Sequence, residues 1–225
     1  MTHIFLYLNV FLVLIPIALA TDKKVFVKDN IRSVIIPSLI VTVIFSETGV
    51  FFAGLKVWTF NPVYLLGITY RQLPLEMYLF YFTSSFAGLG IYNYLNAKFP
   101  KNDLQKYSLS LSHLLLGIMV AILFFAYTKW YTATTFVLLF LLMLYIEYKN
   151  QLRFMYRFYR AFIVCLIPFY ISYGILCNVP IISYNAAETI DVNFLNIPFE
   201  NYFYMMGMLL LGVYFMEVFK SRRAK

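Results

Sequence analysis

Seven long apolar runs constrain this chain before anything else does. They lie near His3–Thr21, Ser33–Leu55, Leu75–Asn96, Tyr107–Thr128, Trp130–Tyr148, Phe158–Cys177 and Phe199–Phe219, and one bilayer crossing takes roughly 20 such residues. Inside lipid a backbone must satisfy its own polar groups, and a run of this length does so as a helix. The expected fold is therefore all-α: a polytopic membrane protein of seven transmembrane helices. Only 12% of residues are charged, against about 25% in an ordinary soluble domain.

The formal net charge of +8 raises the question of nucleic acid, and the placement of the basic residues answers it. Alternate loops hold fifteen Lys and Arg against three on the other side. Basic loops face the cytoplasm, so the charge is a topology signal rather than a nucleic-acid surface. It predicts a cell-membrane protein with its N-terminus outside and its C-terminus cytoplasmic, which requires an odd number of spans. The first span carries a small-residue Ala18-Leu19-Ala20 end like a signal-peptide site, but its basic cluster follows it, so the reading is an anchor helix. Cys165 and Cys177 fall on one predicted helix, roughly 18 Å apart and beyond disulfide reach. No Cys/His pairing suggests a metal. His113 on span four reads as an interior polar group bonded to a neighbouring helix, the alternative being a proton shuttle.

One stretch stands out from this apolar background. Trp58 to Phe82 is an aromatic, turn-rich segment with Asn61-Pro62 that runs into a helix opening Leu73-Pro74-Leu75-Glu76. Proline suits the start of a helix, and a nearby glutamate faces the positive end of the helix dipole. The arrangement returns 124 residues later without a gap: Tyr184-Asn185 answers Phe60-Asn61, and Ile197-Pro198-Phe199-Glu200 answers Leu73-Pro74-Leu75-Glu76. The shift lays span one on span five, two on six and three on seven. That divides the chain into a first repeat over 1–106, a linking helix over 107–128 and a second repeat over 129–225. Equivalent spans cross in the same direction, so the halves are related by an axis along the membrane normal, and sites in such folds lie between the repeats. Glu76 and Glu200 are expected to face each other near the outer end.

Burial disfavours the charged form of a carboxyl, so a carboxyl in apolar surroundings can hold a proton to donate while a second, in a wetter setting, stays ionised and accepts one. Such a pair suits acid-initiated chemistry on an apolar, lipid-dissolved substrate. Trp58, Phe60, Tyr64, Tyr78, Phe80, Tyr202 and Tyr204 lie near the motifs, and their ring faces stabilise a cation by about 2 kcal/mol when desolvated. Aromatics at span ends are also ordinary interfacial belts. Glu47, in span two, is either functional or hydrated near the outer surface.

These residues resemble a known family. Val57-Trp58, Phe60-Asn61-Pro62, Tyr64, Gly67-Ile68 and Leu73-Pro74-Leu75-Glu76, then Pro180, Tyr184-Asn185 and Glu188, then Ile197-Pro198 and Glu200, look like the lycopene cyclase domain of the heterodimeric and fused membrane cyclases. Asp22-Lys23-Lys24-Val25 fits the same resemblance. It covers essentially the whole chain and implies a lycopene β-cyclase of the isomerase class, acting in carotenoid biosynthesis. The implied reaction closes the ψ-ends of lycopene into β-rings, giving γ-carotene and then β-carotene. It is proton-initiated and redox-neutral and needs no cofactor; no dinucleotide fingerprint occurs, so no flavin is expected. By the resemblance, Glu76 and Glu200 transfer protons, with Glu188 a further candidate. Asn61, Tyr184, Asn185, Trp58, Tyr78, Asn201 and Glu47 are implied to orient them or bind substrate. The implied partners are membrane lipid, the carotenoid, and either other carotenoid-pathway enzymes or further copies of the chain.

The family pattern usually carries a second acid directly after the glutamate, where this chain has Met77 and Asn201. A cyclase-shaped subunit without catalysis is therefore the main alternative. A retinal pigment would need a lysine in mid-span seven for its covalent link, and none precedes Lys220.

Overall fold

The computed structural model describes residues 3–22, 29–101, 105–150 and 152–223. Lys23 to Val25 of the basic motif lie outside the described residues. Helices account for most of the chain: α1 Ile4–Ala20, α2 Asp29–Gly54, α3 Leu75–Lys98, α4 Gln105–Ala126, α5 Trp130–Leu144, α6 Met155–Asn178 and α7 Phe199–Arg223. α5 continues into a π-helical turn at Tyr145–Lys149. Among the described residues five helices are both long and apolar enough to cross a bilayer, namely α2, α4, α5 with its π turn, α6 and α7, while α1 is a shorter apolar helix. The molecule is thus mostly helical and compatible with a multi-pass membrane protein.

α3 and α7 pack against each other at the centre. α1 and α2 flank α3, α5 flanks α7, α2 also reaches α7, and α6 reaches α3. α4 is peripheral, touching α5 and α6, and its Phe124 and Phe125 are exposed. Most side chains that α3 and α7 bury are apolar or aromatic, with Glu76, Thr83, Ser85, Asn93, Glu200 and Asn201 as buried polar exceptions.

Between the helices lie short extended segments that a span-by-span reading does not anticipate. Strand β1 (Trp58–Phe60) pairs antiparallel with β4 (Ile182–Tyr184) in the register Trp58↔Tyr184, Thr59↔Ser183, Phe60↔Ile182. The central pair, Thr59 and Ser183, is 124 residues apart, and the pairs on either side exchange equivalent positions, so the ribbon has a local two-fold axis at Thr59 and Ser183. Flanking bonds repeat the relation: Asn61 N donates to Ile181 O at 2.9 Å, and Asn185 N donates to Val57 O at 2.8 Å. Because β1 follows α2 and β4 follows α6, the ribbon ties the two helix ends together and places the starts of α3 and α7 at one end of the bundle.

Each of those helices is entered through a tight hairpin. β2 (Thr69–Tyr70) pairs with β3 (Leu73–Pro74), and β5 (Asn193–Phe194) pairs with β6 (Ile197–Pro198). The turn residues are left-handed in both: Arg71 and Gln72 at φ 46° and 66°, Leu195 and Asn196 at φ 54° and 62°. Such turns favour Asn-Gly, and a side chain in that conformation costs roughly 1–2 kcal/mol. A tyrosine from the following helix steadies each hairpin: Tyr78 donates to Tyr70 O at 3.0 Å, and Tyr202 donates to Phe194 O at 2.9 Å.

The opposite end of the bundle gathers charge. Arg160 donates to Leu95 O, Asn96 Oδ1 and Phe99 O, Lys220 donates to Asn93 Oδ1 at 3.0 Å, and Tyr92 donates to Glu217 at 3.0 Å. Glu147 accepts from Ser112, which also bonds Tyr159. His113 bonds Tyr148 at 2.6 Å across to the π turn, in an exposed position.

Candidate active site

The hairpins and proline-led helix starts bring a carboxyl to the same local setting twice. Glu76 and Glu200 are fully buried in the first turns of α3 and α7. Glu76 Oε1 accepts the Leu66 N–H at 2.5 Å, and Glu200 Oε1 accepts the Ile190 N–H at 2.7 Å. Leu66 and Ile190 are themselves 124 residues apart. In both carboxyls Oε2 is buried and has no hydrogen-bond partner among the described residues. Nearly all buried side-chain polar atoms are paired, so two unpaired oxygens at equivalent places call for a functional explanation.

The two surroundings differ beyond that shared bond. Glu200 Oε1 also accepts from Thr132 Oγ1 of α5 at 2.6 Å. Its neighbour Asn201 is fully buried, accepting from Tyr131 OH at 2.5 Å and donating to Tyr184 OH at 2.8 Å. On the other side Met77 fills the matching position, buried and apolar. There α1 supplies the polar contact: Asn9 Nδ2 donates to the Glu76 carbonyl at 3.1 Å, while its Oδ1 accepts from Thr83 at 2.8 Å.

Between α3 and α7, under the ribbon, lies a cluster of rings. Trp58 meets Phe52, Tyr131, Tyr184 and Tyr204 edge-on at centroid separations of 5.3, 5.6, 6.0 and 6.3 Å. Tyr204 bonds Thr48 at 2.8 Å and Tyr81 at 3.4 Å. The Tyr81 ring fits only because residue 49 is glycine, where a Cβ would stand 2.5 Å from its hydroxyl. Beneath Glu200 opens an apolar crevice of about 190 Å³ between α2, α5 and α7. Tyr204, Gly207 and Leu211 line it, on the helical face that Glu200 begins one turn earlier, at spacings of four, three and four; Glu200 itself is not one of the lining residues. Thr135 contributes a hydroxyl to the lining that has no partner among the described residues.

The remaining candidates take other places. Asn61 and Asn185 spend their side-chain oxygens within their own turns, on Val63 N at 3.1 Å and Ala187 N at 3.0 Å. They shape the ribbon's exits, and the bonds to the carboxyls come from Leu66, Ile190 and Thr132. Glu188 Oε2 accepts the Trp130 N–H at 3.1 Å, so it sits at the N-terminus of α5, where the helix dipole favours an anion; it steadies the turn that carries Thr132. Tyr78 staples the first hairpin, and Tyr184 and Trp58 belong to the ring cluster. Glu47 pairs with Arg71 at 2.7 Å on the exposed surface. That bond pushes the Arg71 guanidinium above its ordinary pKa, and exposed pairs of this kind add little stability. Among the described residues no group of three or more His, Cys, Asp or Glu side chains is arranged to hold a metal.

Sequence reasoning did not single out Asn9, Thr132, Tyr131 or Thr83. Asn9 had a usable signal, an amide within an apolar span, where polar groups face the bundle interior. Thr132 had none, since a threonine near a span start is unremarkable. The profile of the family described as lycopene cyclase matches residues 2–95 and 128–219, two stretches that flank α4. No curated protein and no solved structure matches the chain.

Proposed function

The chain belongs to the lycopene cyclase family, and we propose that it is a lycopene β-cyclase working by proton transfer from buried carboxyls. The observation that carries this reading is the pair of buried, unpartnered Oε2 atoms on Glu76 and Glu200. An acidic oxygen with no donor among the described residues is free to exchange a proton with an apolar substrate.

In the proposed reaction Glu200 is the donor. Ile190 N–H and Thr132 fix its Oε1, which leaves Oε2 to carry the proton over the head of the crevice. That proton adds to the terminal carbon–carbon double bond of a ψ-end and leaves a tertiary cation. The electron pair of a neighbouring double bond then forms the ring carbon–carbon bond and shifts the positive charge along the chain. Loss of a proton to a carboxylate, for which Glu76 is proposed, restores a double bond. One proton enters and one leaves, no electrons are transferred, and the product is an isomer. Tyr204 lines the crevice, and Trp58 and Tyr131 pack against it in the ring cluster, whose aromatic faces stabilise the cation. Asn201, bonded to Tyr131 and Tyr184, holds two rings of the same cluster in place where the family pattern usually has an acid.

We place the carboxyl end of the bundle outside and the basic end in the cytoplasm, with seven spans forming repeats over 1–106 and 129–225 joined by a linking helix. The recurrence of backbone bonds at a separation of 124 residues supports that division, as do the two matched stretches. Expression of the chain alone in cells that accumulate lycopene tests the function. Chromatography of the pigments is expected to show γ-carotene and β-carotene appearing as lycopene falls. Unchanged lycopene, with the protein present in the membrane, counts against the reading.

A further inference from the structure

The crevice beneath Glu200 is too small for the whole of an extended polyene. Its 190 Å³ compares with the roughly 150 Å³ cavity that accommodates a single benzene ring. It takes one end group, and the rest of the chain must lie elsewhere.

A second crevice of about 520 Å³ lies on the other flank of α7, between α6 and α7 with α4 as its third wall. The two crevices share one lining side chain, Phe203, which packs on Phe136 at 4.7 Å and on Phe199 at 5.0 Å. Phe199 precedes Glu200 in the chain, and Phe194 of the second hairpin closes the upper end. The rim is lipid-accessible, with Ile163 65% exposed.

The matching gap in the other half is shut. α2 lies along α3, whereas α6 barely meets α7. The residues explain the difference. Where α6 presents Phe162 and Leu166, α2 presents Ser38 and Thr42, 124 positions earlier; where α7 presents Phe199 and Phe203, α3 presents Leu75 and Leu79. Small residues let helices approach, and Ser38 is fully buried. The Glu47–Arg71 pair further ties α2 to the first hairpin, while the corresponding positions hold Ile171 and Leu195.

We propose that the α6/α7 crevice is the lateral binding site for the apolar chain of the substrate, a long linear polyene, and that Phe203 is the partition past which one end group reaches Glu200. The proposal rests on the cyclase reading for the identity of the occupant. It makes the chain functionally one-sided: the second half receives substrate from lipid, and the first half does not.

The test uses the full chain in lipid nanodiscs, with lycopene retained after gel filtration read by its visible absorbance and ring closure measured separately. Ile163→Trp, at an exposed rim where a large ring disturbs no core, and Met206→Trp, deeper in, are expected to weaken retention at least tenfold. Phe82→Trp, at the position matching Met206 in the closed half, is expected to leave retention within twofold. Retention unchanged in both crevice variants overturns the proposal and leaves the cyclase reading standing, as when a lipid acyl chain occupies the groove. A loss of self-association in the Ile163→Trp protein, with retention intact, assigns the face to a second copy and also overturns it. Retention lost as expected without ring closure in the unsubstituted chain upholds the crevice and removes the cyclase reading.

Discussion

Glu200→Gln is expected to lower β-ring formation at least a hundredfold while the protein still folds and inserts. A positioned general acid contributes roughly 10²–10⁴-fold, and the amide cannot supply a proton. The substitution is a clean one because of how the carboxyl is held. The glutamine carbonyl can keep the bonds from Ile190 N–H at 2.7 Å and Thr132 Oγ1 at 2.6 Å, and its NH₂ takes the place of an oxygen that has no partner among the described residues. The α5–α7 contact is preserved, so expression level and thermal stability in detergent should stay close to those of the parent. Lycopene should accumulate in a producing host. β-Carotene at parental levels would remove Glu200 from the proton path.

Glu76→Gln is expected to abolish ring closure to a similar degree, with a different signature. Its Oε1 bond to Leu66 N–H at 2.5 Å survives in the amide, and the Asn9 bond runs to the backbone carbonyl of residue 76 and is untouched. What is lost, on the proposed mechanism, is the acceptor for the departing proton. Glu76→Asp should therefore recover part of the activity if the carboxylate still reaches the reacting carbon, whereas a purely structural role would leave Gln and Asp equally tolerated. Glu47→Gln is the control: it breaks an exposed pair with Arg71, distant in role from both carboxyls, and ring closure should be unchanged. A fall in activity in Glu47→Gln equal to that in Glu76→Gln would mean that loss of negative charge at this end, rather than one buried oxygen, limits the reaction.

Much of this arrangement is legible in the chain because membrane helices announce themselves by length and because Pro-x-Glu at a helix start has a direct physical meaning. The helices begin at Leu75 and Phe199 as that motif requires. The separation of 124 residues, visible in a few identities, recurs in backbone bonds whose side chains carry no trace of it: Leu75 N to Ile68 O and Phe199 N to Val192 O, both at 2.9 Å. The hairpins were hidden for the same reason. Arg71-Gln72 and Leu195-Asn196 lack the Asn-Gly or Gly signature that left-handed turns usually show, and the helices' own Tyr78 and Tyr202 hold them instead. Glu188 looked like a third acid; its place at the start of α5 depends on a chain reversal that spacing alone does not reveal. Thr132 and Asn9 act through contacts between distant helices, which a one-dimensional pattern cannot encode.

The central claim is that buried carboxyls of this chain pass a solvent-exchangeable proton to the polyene and take one back. Ring closure in D₂O, followed by mass spectrometry of the product, tests it most directly. The account predicts one deuterium gained for each ring formed, so that γ-carotene is heavier by one unit and β-carotene by two, with the label absent from unreacted lycopene. Rings formed without deuterium would contradict it.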